Sequence, residues 1–135
     1  MESQLVDYVS RHHDLPFDWG NNNCLSFVSG ALEACGLPGL PKDWCKGFST
    51  TREALRAYRT ALNAYGHGDI IEAMDARYER VLTLHPRDGM ICARKTEDVM
   101  GYGFGVVLRG GCVFLTSEGA KWADVEAGDM FWRAD

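Results

Sequence analysis

Five cysteines and four histidines are the residues of this chain with the widest chemical range. Cys24 stands out among them, because it follows the turn-forming run Asp18 to Asn23 and opens an apolar series, Cys24, Val28, Ala31, Leu32 and Cys35, at the spacing of one helical face. A thiol in the first turn of a helix feels the partial positive charge of the helix N-terminus and its unpaired N–H groups, which favour the thiolate. That is the setting of a nucleophile. The same stripe also suits Cys24 as a small buried apolar residue, as Cys35 on that face shows.

A nucleophilic cysteine needs a base, most often an imidazole held by a third polar group. His12 and His13 close the first helical segment, where a cation suits the helix dipole and a capping role follows. His67 lies between Gly66 and Gly68, in a turn between two helices. His85 precedes Pro86 and is therefore extended at the entrance to a strand region, which leaves it as the candidate base for Cys24.

The elements that must position these groups follow from periodicity. Leu5, Tyr8 and Val9 predict a short amphipathic helix from Glu2 to His13, ended by Leu15-Pro16. A second helix begins at Cys24, capped by Asn23 or a neighbour, and stops at Gly36. Proline and glycine between Gly36 and Phe48, around Trp44 and Cys45, predict an ordered loop anchored by aromatics. Thr50 with Glu53 forms a capping box for a third helix reaching Gly66, and a short fourth helix spans Asp69 to Ala76. The polar, Arg-rich character of these last two predicts a cap on the main sheet rather than core.

After His85-Pro86 the period changes. Met90–Arg94, Phe104–Leu108, Cys112–Thr116, Lys121–Val125 and Met130–Arg133 are short, rich in β-branched, aromatic and sulfur-containing residues, and separated by glycine turns, which predicts an antiparallel meander. Helices followed by strands give an α+β arrangement in one domain over residues 1–135, helical to about 77 and sheet from about 88 to 134. A chain of 135 residues can bury a core without staples.

The bulk properties exclude several classes. A net charge of −5 without a Lys/Arg run gives no footprint for a phosphate backbone, so nucleic acid is not an expected partner. No stretch approaches the ~20 apolar residues of a membrane span, and the polar N-terminus has neither the basic start nor the apolar centre of a secretory signal. An odd number of unpaired-looking cysteines predicts reduced thiols, and no spacing among them suggests zinc or another cofactor.

The run Pro16-Phe17-Asp18-Trp19-Gly20-Asn21-Asn22-Asn23-Cys24-Leu25-Ser26-Phe27, with the Ala-containing helix ending in Gly36, Tyr58-Arg59, Ala61-Leu62 and the terminal Phe131-Trp132-Arg133, resembles small phage- and prophage-encoded proteins related to the NlpC/P60 branch of the papain-like cysteine peptidases. The resemblance implies an NlpC/P60-like core with the cysteine helix packed on an antiparallel sheet. It also implies a place among the tail genes of long-tailed phages, with peptidoglycan hydrolysis as ancestral chemistry. Two departures bear on activity. Asn23 stands where the relatives carry Asp, and aligning Gly103-Phe104-Gly105-Val106-Val107 with their His-Val-Gly-Ile strand puts Gly103 in the histidine's place.

Without an imidazole the leaving amine goes unprotonated, at a typical cost of ~10²- to 10⁴-fold in rate. The resemblance and this loss together lead to an expected tail-tip or hub-associated virion protein, made in the bacterial cytoplasm, without hydrolytic competence, binding other tail proteins. Trp19, Trp44, Trp122 and Trp132, with Phe17, Phe48 and Phe131, supply aromatic anchors for such contacts. The rival is an active peptidoglycan endopeptidase that uses Cys24 with His85 during genome entry.

Overall fold

The computed structural model describes residues 2–17, 23–44, 50–64, 66, 69–96 and 101–135. Four helices, α1 (Glu2–His12), α2 (Cys24–Ala34), α3 (Thr51–Ala64) and α4 (Ile70–Arg77), precede or flank six strands. The strands are β1 (Glu79–Val81), β2 (Ile91–Lys95), β3 (Tyr102–Leu108), β4 (Gly111–Thr116), β5 (Gly119–Asp124) and β6 (Met130–Arg133). Every pairing is antiparallel, in the order β1-β6-β2-β3-β4-β5. The α+β class expected from the sequence is the observed one.

Helix α2 is the central element. Its buried residues divide between two clusters. Cys24, Leu25, Val28 and Leu32 pack with Ile91, Ala93, Phe104 and Trp132 of the sheet and with Ile70, Ile71, Ala73 and Met74 of α4. Phe27 and Ala31 pack with Leu5 and Tyr8 of α1 and with Val106, Leu108, Val113 and Leu115. The strand alternation that sends Ile91, Ala93, Phe104 and Val106 toward the helices sends Cys92, Val107, Cys112 and Phe131 to the other face. That second face is buried as well, with Val81, Phe114 and Val125 packed against it.

Helix α1 is held to α2 by the Tyr8 hydroxyl, which donates to the Phe27 carbonyl at 2.8 Å inside the core. Its C-terminal end rests on the β4–β5 turn. There the Phe17 N–H donates to the Thr116 carbonyl at 2.9 Å, and Lys121 Nζ donates to the His13 carbonyl at 3.2 Å. Gly119 fits this junction on two counts: its φ is +109°, and a Cβ there would overlap the His13 carbonyl.

Three expectations change. The meander holds only for β2 to β5; β6 leaves it to lie between β1 and β2, with Phe131 opposite Cys92 and Trp132 opposite Ile91. The reason is side-chain demand, since Trp132 fills the helix-side core and Phe131 the opposite face, and the strand between β1 and β2 offers both. Strand β1 was not expected, because Glu-Arg-Val has too little alternation to read as a strand, and it forms through its non-local partner β6. Helix α4 is core rather than cap, with Ile70, Ile71, Ala73 and Met74 all buried. The loop expected from 36 to 48 is anchored by Leu40 and by Trp44, which ends a single 3-10 turn from Lys42 to Trp44; Cys45 and Phe48 lie outside the described residues.

Candidate functional site

Helix α2 begins at Cys24, as expected. Asn23 is its N-cap: the side-chain oxygen accepts from the Ser26 N–H at 2.9 Å, and Ser26 Oγ accepts from the Asn23 N–H at 3.0 Å, completing a capping box. Asn23 is itself buried, so this cap is built into the core rather than exposed to solvent. The cap serves backbone donors that would otherwise face the apolar interior. Cys24 follows at 9% exposure, within the cluster of Leu25, Val28, Phe104 and Trp132.

The strand facing Cys24 supplies aromatics. Phe104 belongs to the Cys24 cluster and Tyr102 packs against it, so position 103, between them, points to the opposite face. Gly103 pairs with Arg94, whose side chain lies on that opposite face over the Phe114 ring. The strand-start residue on the cysteine side is therefore Tyr102, one position from the Gly103 expected by alignment.

The three described imidazoles are engaged or placed elsewhere. His12 Nδ1 donates to the Tyr8 carbonyl at 2.8 Å, and the ring stacks on Tyr8 at 4.2 Å between centroids. His13 Nδ1 donates to the Ser10 carbonyl at 2.8 Å. Both fill the helix-terminal role expected of them. His85 is exposed in the loop joining β1 to β2, where its backbone N–H donates to Thr83 Oγ1 at 2.9 Å. That loop returns through Asp88, Gly89 and Met90 to the C-terminal half of β3, where the Gly89 N–H donates to the Val107 carbonyl. His67 lies outside the described residues.

A polar cluster invisible to local sequence reading sits on the second face of the sheet. Arg94 forms a bidentate pair with Asp129, Nε to Oδ1 at 2.9 Å and Nη2 to Oδ2 at 2.8 Å, and also donates to the Asp124 carbonyl at 2.8 Å. Glu126 meets Arg94 Nε at 2.9 Å, and the Glu126 N–H donates to Asp129 Oδ2. Burial pushes the Asp129 carboxyl up, but the Arg94 hydrogen bonds and charge, with the Glu126 amide, outweigh it and hold the carboxyl below its ordinary value. The same contacts raise Arg94. The cluster fastens the β5–β6 connection to β2 and so fixes where β6 enters the sheet.

Cys92 and Cys112 share that face. Burial pushes the Cys92 thiol well up, and the neighbouring Cys112 adds to the effect while being itself lowered by Cys92. The two lie on β2 and β4, separated by β3, which places their backbones about 9–10 Å apart at the usual strand spacing. A disulfide needs Cα atoms closer than about 7 Å, so these two thiols are packing partners on this face. Burial also raises Cys35. Among the described residues no three His, Cys, Asp or Glu side chains are arranged to hold a metal ion.

A third polar group joins α4 to the sheet edge. Asp75 accepts from Arg80 Nε at 2.9 Å, from Arg80 Nη2 at 2.6 Å and from Trp132 Nε1 at 2.9 Å. The Arg80 hydrogen bonds lower the Asp75 carboxyl and raise Arg80. Trp132, expected among the aromatic anchors, is thus fully buried with its one donor satisfied.

The remaining aromatic anchors divide. Trp44 and Phe131 are buried, Phe17 is partly buried, and Trp19 and Phe48 lie outside the described residues. Trp122 on β5 is half exposed, its Nε1 donating to the Leu108 carbonyl at 2.8 Å. Leu82 and Leu84, in the loop after β1, are the most exposed large apolar side chains described, and Leu15 is exposed as well. No described helix is long and apolar enough to cross a membrane. No curated protein matches the chain. Residues 1–134 match the family described as a domain of unknown function (DUF6950), and the chain belongs to that family.

Proposed function

We propose that this domain is a non-hydrolytic relative of the NlpC/P60 papain-like peptidases that serves as a structural protein of a phage tail tip or hub, binding other tail proteins at the distal end of the virion. The observation that carries the reading is the setting of Cys24. The thiol opens a helix on an antiparallel sheet, as a papain-like nucleophile would, and packs in a cluster with Leu25, Val28 and Trp132 beside a strand that brings Tyr102 and Phe104. An imidazole is what such a thiol needs. His12 and His13 cap α1, and His85 occupies an exposed loop. With the described imidazoles placed there, a helix, sheet and cysteine so arranged support a fold retained for binding.

The binding role draws on Leu82, Leu84, Leu15 and Trp122, exposed apolar side chains of the kind that anchor protein contacts. Mass spectrometry of particles purified from a phage or prophage encoding the chain tests the placement. The protein is expected in the purified tail at a fixed ratio to the hub proteins. Its absence from intact particles would refute the placement, and its presence only in assembly intermediates would make it a transient assembly factor.

A further inference from the structure

Helix α3 carries a feature that neither the core nor the Cys24 region explains. Arg52, Arg56 and Arg59 recur at i, i+4 and i+7 and are all exposed, so they form one stripe about 10 Å long at the helical rise of about 1.5 Å per residue. With Leu55, Thr60 and Asn63 they line a shallow groove of about 340 Å³. Three other arginines hold carboxylates: Arg80 holds Asp75, Arg94 holds Asp129 and Arg133 holds Glu79. The three on α3 have no such partner among the described residues. In a chain of net charge −5, these three guanidiniums form a local cationic strip, with Glu53 in the first turn of the same helix as the acidic side chain beside them among the described residues.

We propose that the α3 arginine stripe docks an acidic segment of a partner protein, with carboxylates spaced about one helical turn apart. Guanidinium forks suit carboxylates, which they can bind through two parallel hydrogen bonds. Size and field select a short segment over a long polyanion. Charges more than about 8 Å apart are screened at physiological salt, so an acidic segment seated on the strip feels chiefly its three cations and Glu53, a net positive field. A nucleic acid would run past the strip and meet a chain whose net charge is −5. The inference is independent of whether Cys24 is inert, since α3 meets the Cys24 cluster through Ala57 and the three arginines are exposed.

The test uses the full chain and two labelled probes: a peptide of about ten residues with Glu at i, i+4 spacing, and a single-stranded oligonucleotide of equal net charge. Fluorescence anisotropy is read at low and at raised salt. The wild type is expected to bind the peptide in a salt-dependent manner. Replacing Arg52, Arg56 and Arg59 together by Ala is expected to weaken binding about tenfold or more. Because all three side chains are exposed, the circular dichroism spectrum and melting curve of that variant are expected to match wild type; Arg56→Lys, which keeps the charge but loses the fork, is expected to fall between. No peptide binding by wild type, equal binding by the triple variant, or binding of the oligonucleotide as tight as the peptide would each overturn the proposal.

Discussion

Replacing Asp129 by Ala isolates what fastens the β5–β6 connection. The carboxylate is 2% exposed and accepts from Arg94 Nε at 2.9 Å, Arg94 Nη2 at 2.8 Å and the Glu126 N–H at 2.8 Å. Its loss leaves a guanidinium, 23% exposed and stacked on Phe114, with only the exposed Glu126 as counter-ion. Breaking a buried ion pair from one side costs about 3–5 kcal/mol, and the residual exposure of Arg94 puts the expected loss at the lower end, about 3 kcal/mol. For a chain of this size that is a fall of roughly 12 °C in Tm. Urea and thermal unfolding at pH 7, followed by circular dichroism, measure it. A control separates pair-breaking from general damage: Arg94→Met with Asp129→Leu removes both charges and is expected to recover most of the loss. The pH dependence has a definite sign. The Asp129 carboxyl is held below its ordinary value, so its contribution is complete above about pH 4–5 and is lost as pH falls through the folded-state value. The gap between wild type and Asp129→Asn is therefore expected to be full at pH 7 and to close in acid. A loss under about 1 kcal/mol at pH 7, or a gap that widens in acid, would refute this account of the sheet closure.

Other substitutions probe the elements around α2. Gly105→Ala places a Cβ against the backbone carbonyl of Val113, which cannot yield without shifting β4, so a loss of about 3 kcal/mol or more and poor soluble yield are expected; wild-type stability would contradict the close approach. Asn23→Ala removes the N-cap of α2 and is expected to cost about 1–2 kcal/mol in urea unfolding, with Asn23→Asp costing less. Tyr8→Phe removes the buried hydroxyl that donates to the Phe27 carbonyl, which keeps its helical partner in α2. Chemical denaturation is expected to show a loss of about 1 kcal/mol with an unchanged m-value.

Much of the helical half is legible from local pattern. The starts of α2 and α4 are carried by Asn23 and Asp69, whose side chains accept from N–H groups three residues on, and such caps are written into adjacent residues. The four strands β2 to β5 are legible from glycine-punctuated apolar runs for the same reason. What escapes is non-local. Strand β1 has one apolar residue and exists through β6, about fifty positions away. Arg94 and Asp129 are 35 residues apart and meet because β6 crosses to β2, which nothing near either residue announces. The phase of β3 was readable: Phe104, Val106 and Leu108 alternate as one face, which assigns Tyr102 to the cysteine side and position 103 to the other. Cys24 was legible as a helix start; the character of its surroundings depended on α4 and β6 joining the same cluster.

Under the proposed function, Cys24 sits in a papain-like position without working as a nucleophile. Purified protein incubated with peptidoglycan, with soluble peptide products measured by mass spectrometry and Cys24→Ala run in parallel, tests it most directly. The expected result is no product above a heat-denatured control for either protein, with both equally folded by circular dichroism. Release of peptide fragments by wild type that disappears in Cys24→Ala would contradict the claim and make Cys24 a catalytic residue.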